Sequence, residues 1–153
     1  MGDDSDPTDE VVIDRLNSYS REHPFLAEMD LSFETYEEGF VHATVPYLEQ
    51  FASPPSESYE LPEGPRPLHG GIVCSLLDTV MGFVVMGECI GQDRRSGPTV
   101  SLDIDFISAA NGPLDLFATP VRIGESVASV RGEIYHEGTE DVVAIGQGIW
   151  RVY

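Results

Sequence analysis

The sequence of 153 residues contains no lysine, and its eight basic residues, all arginine, are set against 27 acidic ones. The formal net charge of −19 repels polyanions and anionic bilayers, so we expect neither nucleic acid nor a membrane as a partner. The acidic residues are spread along the chain instead of forming one tail. This pattern favours a halophilic protein adapted to high cytoplasmic salt, with an ordinary acidic protein as the alternative.

Cysteine is also scarce. Cys74 and Cys89 form no CxxC motif and no Cys/His cluster with zinc-ligand spacing, so we expect two buried thiols and neither a disulfide framework nor a metal site. No uncharged apolar run approaches the roughly 18 residues of a membrane span. The acidic start of the chain, MGDDSDPTDE, lacks the basic and apolar regions of a secretory signal. A cytoplasmic location is therefore the expectation.

The first half of the chain predicts a helix, a hairpin and a long loop. Residues 1–7 are expected to be disordered, and residues 8–153 to form a single domain. A helix is predicted from an N-cap at Thr8 to about His23, where Pro24 ends it. Strand-like patterns follow at 26–36 and 40–45, separated by a Glu-Gly turn. Residues 46–67 hold six of the eleven prolines and predict an irregular, functional loop.

The second half predicts one apolar helix over residues 68–90 and then four strands. The helix is apolar over so wide an arc that it should be buried. Its remaining stripe consists of small residues and one carboxylate: Gly71, Cys74, Ser75, Asp78 and Gly82. Strands are predicted at 99–108, 114–123, 126–136 and 142–152. Because strands and helices do not alternate, we expect an α+β fold in which an antiparallel sheet is wrapped around a long central helix.

Two features of the predicted helix indicate a binding or catalytic site. It starts at His69-Gly70-Gly71, where free backbone N–H groups and the positive end of the helix dipole favour an anion or a polarised carbonyl. Asp78 lies mid-helix among apolar neighbours, where a carboxylate is costly unless it is paired or functional. The alternatives are a glycine-rich joint with a structural histidine, and a core acid satisfied by a partner.

Distance constrains how these features could act together. Gly70 and Asp78 are eight positions apart, roughly 12 Å along a helix axis at about 1.5 Å per residue. One helix therefore cannot bring both groups to the same carbonyl. Two copies of the helix, antiparallel across a two-fold axis, can do so, and the small-residue stripe would allow their close approach. The spacing thus predicts a homodimer with two shared sites.

The segments LHGGIVCSLLDTVMGFVV and PTVSLDIDFISAA resemble the hotdog-fold thioesterases of the phenylacetate-degradation type. The resemblance covers roughly residues 25–153, and the spacing from His69 to Asp78 matches that between the histidine and the catalytic aspartate of the family. It implies hydrolysis of an acyl-coenzyme A thioester to a free acid and coenzyme A, without metal or cofactor. It also implies a homodimer, which in this fold commonly pairs again into a tetramer.

The same resemblance implies catalytic roles for four residues. The Gly70 N–H would bind the thioester carbonyl, with His69 helping to hold the carbonyl or a water molecule. Asp78 of the opposite subunit would attack the carbonyl or activate water, and both routes stay open. The Thr99 hydroxyl would contact Asp78 or its water.

Four further residues are candidates for binding the substrate. Gly71 lets a substrate approach the backbone. Glu63 occupies a position at which many relatives carry Asn or Gln, so it either takes over that role or weakens activity. Arg94 and Arg95 could hold the phosphates of coenzyme A, or simply form a solvated turn.

Two functions other than thioester hydrolysis are considered for this fold. A non-catalytic acyl-CoA-binding or oligomerising domain is the alternative that Glu63 keeps open. A hydratase of the same fold is disfavoured, because its Asp/His loop motif is not found. The acyl group stays open among phenylacetyl, hydroxyphenylacetyl, benzoyl and medium-chain groups. Trp150 is interpreted as a packing residue.

Overall fold

The computed structural model describes residues 7–55 and 63–153. The predicted disorder of residues 1–7 thus lies outside the described residues except at Pro7, as does part of the 46–67 loop. The described chain forms three helices, a short 3-10 turn at Glu49–Phe51 and six strands. Their bounds are α1 Asp9–Glu22, α2 Pro24–Ala27, β1 Ser32–Glu37, β2 Phe40–Val45, α3 Gly70–Cys89, β3 Ser96–Phe106, β4 Leu114–Ile123, β5 Val127–His136 and β6 Val142–Val152.

The strands form one antiparallel sheet that packs against α3. The order across the sheet is β1-β2-β4-β5-β6-β3, and each neighbouring pair is antiparallel. The long strands β4, β5 and β6 follow one another in the chain and in the sheet, since short turns connect them. This arrangement confirms the predicted α+β hotdog fold with its long central helix.

One face of α3 supplies the centre of the core. Leu76, Leu77, Val80, Met81 and Val84 are fully buried, and burial of each such side chain contributes about 1.5–3 kcal/mol. By length and hydropathy α3 also resembles a membrane-spanning helix, but its packing against the sheet accounts for that apolar character. The stripe of small residues faces away from the sheet and is exposed or half-buried.

A hydrogen bond ties the end of α3 to β1. The Tyr36 hydroxyl donates to Glu88 Oε1 over 2.5 Å, and burial together with this carboxylate raises the pKa of Tyr36 well above its ordinary value. Gly87 makes room for the ring, because a Cβ at that position would lie 2.5 Å from the Tyr36 ring. The contact fixes the C-terminal end of α3 relative to the β1–β2 hairpin.

The predicted strand at 26–36 was wrong over its first half. Pro24 does not only end α1 but also begins the short helix α2, because its fixed φ suits the first helical position. Leu26 in α2 and Met29 in the turn that follows it are buried in the core, and the strand begins at Ser32. Spacing of apolar residues over so short a segment does not distinguish the two structures.

The prediction of a half-buried β3 was also incomplete. Leu102 and Ile104 pack partly against the core, whereas Val100 is 61% and Phe106 57% exposed. Among the residues that the structure describes, β3 pairs only with β6 and forms an edge of the sheet. An unpaired edge that carries exposed apolar side chains is suited to pairing with another strand.

The acidic surface has no arginine–carboxylate ion pair in the part of the chain that the structure describes. There, only His42 and Asp115 approach within 4.0 Å, at 2.8 Å, so arginine does not neutralise the carboxylates. Raising KCl from about 0.1 M to about 1 M shortens the screening length from about 10 Å to about 3 Å. We expect the thermal unfolding temperature to rise by several degrees over this range. An unchanged or falling temperature would contradict the account of an acidic, self-repelling surface.

Candidate active site

The start of α3 is held in place by the segments around it. The Leu68 N–H donates to the Ala110 carbonyl over 2.8 Å, and the His69 N–H donates to the Phe51 carbonyl over 2.9 Å. Arg66 donates to the Ser53 carbonyl over 2.9 Å. These bonds fix the backbone on either side of the exposed His69, so the N-terminus of α3 is a rigid structure rather than a frayed end.

His69 caps this helix with its side chain. Its Nδ1 accepts a hydrogen bond from the Gly71 N–H over 3.0 Å, and its carbonyl accepts from the Ile72 N–H over 2.9 Å. An accepting Nδ1 in a neutral imidazole places the proton on Nε2. His69 therefore presents an Nε2–H donor on the exposed side of the ring.

This capping leaves one donor at the helix start. The Gly71 N–H is occupied by His69, so Gly71 has no free amide to offer a substrate. The Gly70 N–H has no backbone or side-chain acceptor among residues 7–55 and 63–153, and Gly70 is exposed. Beside it lies the ring of Phe106, which a Cβ at Gly70 would meet at 3.6 Å. The positive end of the helix dipole adds to this exposed donor.

Asp78 is joined to Thr99 across the gap between α3 and β3. The Thr99 hydroxyl donates to Asp78 Oδ1 over 2.6 Å. Asp78 is half-buried, and Oδ2 has no hydrogen-bond donor in the described parts of the chain. The geometry thus fixes one carboxylate oxygen and leaves the other available. The sequence-predicted pair of Asp78 and Thr99 is brought together in this way.

A cavity of about 690 Å³ opens beside this pair. The outward face of α3 forms one wall, and α1, the start of β3 and the end of β6 form the others. Its polar lining includes Asp78 and Thr99, and its apolar lining consists mainly of aromatic rings. The aromatic lining residues are Tyr19, Phe25, Phe83, Trp150 and Tyr153.

The two halves of the predicted site lie apart within one chain. Asp78 lines the cavity, but the described lining includes neither His69 nor Gly70. The step of eight positions along α3 from Gly70 to Asp78 corresponds to roughly 12 Å of helix. A single chain therefore offers a hydrogen-bond donor at one place and a carboxylate at another.

The remaining predicted substrate-binding residues are scattered. Arg95 lines the Asp78 cavity, with its guanidinium 5.9 Å from the Tyr153 ring centroid. Arg94 instead donates to the Gly124 carbonyl and lines a separate depression beside β4 and β5. Glu63 is exposed and forms no hydrogen bond with the described residues. The structure brings only one of these three charged groups to the cavity.

The thiols differ from each other in exposure. Cys89 is buried as predicted, while Cys74 is half-buried on the outward face of α3. Burial raises the pKa of both thiols, and the nearby Asp78 raises that of Cys74 further. A thiol with a raised pKa is a poor nucleophile at neutral pH, so Asp78 is the better candidate for chemistry at this site.

Sequence patterns missed the aromatic wall of the cavity. Tyr19 was part of the predicted helix, Phe25 lay between that helix and the predicted strand, and Trp150 was interpreted as packing. Trp150 is in register with Thr99 on the neighbouring strand, so it belongs to the same site as the Asp78–Thr99 pair. The one available signal was GQGIW near the C-terminus, where two glycines precede a large ring on a strand.

Comparison with known proteins identifies relatives of this architecture. A sequence model described as thioesterase superfamily matches residues 68–143, which include α3 and the Asp78–Thr99 pair. A candidate esterase from Halobacterium salinarum is 27% identical over 147 residues, covering 90% of each chain.

Solved structures share the fold at low sequence identity. A thioesterase from Haemophilus influenzae superposes with a TM-score of 0.70 at 15% identity, over 98% of this chain and 93% of the other. The E. coli PaaI protein from the phenylacetic acid degradation operon gives 0.71 at 18% identity, over 92% and 91%. A thioesterase family protein from Silicibacter pomeroyi also gives 0.71 at 18% identity, over 92% and 97%.

Proposed function

Because the chain belongs to the thioesterase superfamily, and is thereby assigned to the hydrolases, we propose that it is an acyl-coenzyme A thioesterase. It would hydrolyse the thioester to a carboxylic acid and coenzyme A. The observation that carries the proposal is Asp78, whose carboxylate is held by Thr99 at the wall of a 690 Å³ cavity. A half-buried carboxylate with one free oxygen beside a substrate-sized cavity is suited to attack a carbonyl or to activate water.

The proposed site is completed by a second copy of the chain. An antiparallel pair of α3 helices would bring the Gly70 N–H of one subunit to Asp78 of the other. Two features support this assembly: the outward face of α3 is formed by small residues, and the edge of β3 exposes Val100 and Phe106. Pairing of two β3 edges would continue the sheet and cover those side chains.

The donors at the helix start would hold the thioester carbonyl. As negative charge develops on the carbonyl oxygen, the Gly70 N–H and the helix dipole stabilise it more strongly than they stabilise the neutral carbonyl. The His69 Nε2–H provides a second donor or holds the water. Since both groups are fixed before the substrate binds, they need little reorganisation during the reaction.

Asp78 would supply the base or the nucleophile. In the first route it takes a proton from water, and the resulting hydroxide adds to the carbonyl carbon. In the second its free oxygen adds directly, and water later cleaves the anhydride. In both routes the carbon–sulfur bond breaks, the sulfur of coenzyme A leaves with the bonding electrons, and it is then protonated. Neither route requires a metal or a cofactor.

The cavity rim offers a contact for the anionic part of the substrate. Coenzyme A carries phosphates, and a chain with a net charge of −19 repels them. Arg95 at the rim would offset this repulsion locally and hold a phosphate. Arg94 is less free to do so, because its guanidinium already donates to Gly124.

Replacement of Asp78 tests the proposed activity. Asp78→Asn removes the charge but retains an oxygen that can accept from Thr99, so the local structure should persist. We expect kcat to fall by about 10²–10⁴-fold, measured as release of the coenzyme A thiol from a panel of aryl and aliphatic acyl-CoA thioesters at high salt. Asp14→Asn, on the exposed face of α1, removes the same charge away from the cavity and should leave kcat unchanged.

The panel also tests the alternative function. A folded wild-type protein that binds acyl-CoA but releases no thiol from any substrate would sink the proposed hydrolase activity. The protein would then be an acyl-CoA-binding domain, the hypothesis favoured by Glu63 at the position of the usual amide.

Replacement of Thr99 tests how the carboxylate is positioned. Thr99→Val keeps the shape of the side chain but loses the hydroxyl donor to Asp78. A hydrogen bond to a charged group contributes about 1.5–3 kcal/mol, so we expect kcat to fall by about 10–100-fold with a smaller change in KM. Thr99→Ser restores the donor and should recover most of the rate. Equal rates for the valine and serine variants would show that the hydroxyl has no role.

A further inference from the structure

Trp150 is a buried side chain of the cavity wall. It is only 3% exposed, and it lines the same cavity as Asp78. Its strand β6 pairs with β3 so that Trp150 stands opposite Thr99. The indole is therefore a direct neighbour of the proposed catalytic pair, although packing was the expected role of this residue.

Two glycines fix the orientation of the indole ring. A Cβ at Gly148 would lie 2.4 Å from Cη2 of the ring, so the absence of a side chain there lets the six-membered ring lie across β6. A Cβ at Gly82 would lie 3.1 Å from Nε1, so the N–H end of the ring reaches α3. The ring is thus held between a strand and a helix with its polar atom at the surface of α3.

The indole N–H has no partner within the described protein. No hydrogen bond from Trp150 Nε1 is found to any residue in 7–55 or 63–153. Over the same residues, no side-chain nitrogen or oxygen is both sealed from solvent and unpaired. The N–H must therefore be open to the cavity that Trp150 lines. A buried donor placed this way favours a ligand that carries an acceptor.

The distance between Asp78 and the indole N–H beside Gly82 indicates which part of a bound substrate the N–H would contact. Gly82 follows Asp78 by four residues, which is roughly 6 Å along the helix axis. With the thioester carbonyl at Asp78, an acyl chain that runs along α3 would reach the indole N–H after a few carbon–carbon bonds. The apolar side chains beside Gly82, among them Phe83 and Met86, suit the acyl group better than the coenzyme A part of the substrate.

We infer that Trp150 is a specificity-determining residue that donates a hydrogen bond from its indole N–H to an oxygen on the acyl group. This inference rests on the proposed thioesterase function and names its substrate class: acyl thioesters with a hydroxyl or carbonyl oxygen about one helical turn from the reacting carbon. A site built to bind such an oxygen discriminates against the acyl group that lacks it, because the buried donor is then left unpaired.

The test uses matched pairs of substrates. Linear acyl-CoA thioesters of increasing length are assayed with and without a hydroxyl on the terminal carbon. For the length that reaches Trp150, the wild type should show a kcat/KM at least about 10-fold higher for the hydroxylated member. In Trp150→Phe, which keeps an aromatic ring but lacks the N–H, the ratio should fall to about one.

A second variant keeps the tryptophan. Gly82→Ala places a methyl group 3.1 Å from Nε1 and shields the N–H, so it should also abolish the preference. It is the control for lost packing in Trp150→Phe, because the tryptophan is retained and its ring has to move by only a few tenths of an ångström. If either variant slows both members of each pair equally and keeps their ratio, the inference is overturned.

Fluorescence gives a readout that is independent of turnover. Trp150 is the single tryptophan of the chain, so its emission reports only on this cavity. In the Asp78→Asn protein, the hydroxylated acyl-CoA should shift the emission to longer wavelength than its plain counterpart does. Identical spectra for the two ligands would overturn the inference. If the wild type hydrolyses no thioester at all, the proposed function fails, and the spectra still show whether the indole meets an acceptor.

Discussion

A single rigid helix sets the constraint on which the account of this protein depends. α3 carries its free N–H donor at Gly70 and its carboxylate at Asp78, and roughly 12 Å of helix separate them. No rotation of side chains closes that distance within one chain. The chemistry assigned to the two groups therefore requires a second α3 in the opposite direction. Within the described parts of the chain, the small-residue stripe of α3 is exposed or half-buried. The unpaired edge of β3 continues the same open surface.

The packing of α3 against the sheet explains the positions of the polar groups of the site. One face of α3 is fully buried against the sheet, so any functional side chain must lie on the outward face. There Thr99 reaches over from β3 and fixes one oxygen of Asp78, beside the aromatic rings that line the cavity. At the other end, His69 occupies the Gly71 amide and leaves Gly70 as the donor. Each polar group has one fixed partner and one free atom, which is the arrangement that catalysis requires.

Much of this structure could be predicted from sequence. The bounds of β2, β4 and β6 agree with the predicted ones, since period-two patterns between turn residues are unambiguous there. The segment 26–36 was misjudged because a few apolar residues fit a helical turn as well as a strand. The partners of Asp78 and the positions of Arg94 and Arg95 depend on contacts between distant segments, which periodicity does not encode. Thr99 was identified only through the family resemblance. Trp150 packs in the core as predicted, but its place in the cavity wall depends on Gly82 and Gly148 and was not predicted.

The most direct measurement is the activity of a purified heterodimer of two inactive chains. One chain carries Asp78→Asn and the other Gly70→Pro, each with its own affinity tag. Proline removes the N–H yet suits the first helical position, and the extended His69 backbone (φ −58°, ψ 135°) accepts it. If each site takes Gly70 from one subunit and Asp78 from the other, the heterodimer has one intact site and should show about half the wild-type rate. Both homodimers should be inactive. An inactive heterodimer would contradict the shared site.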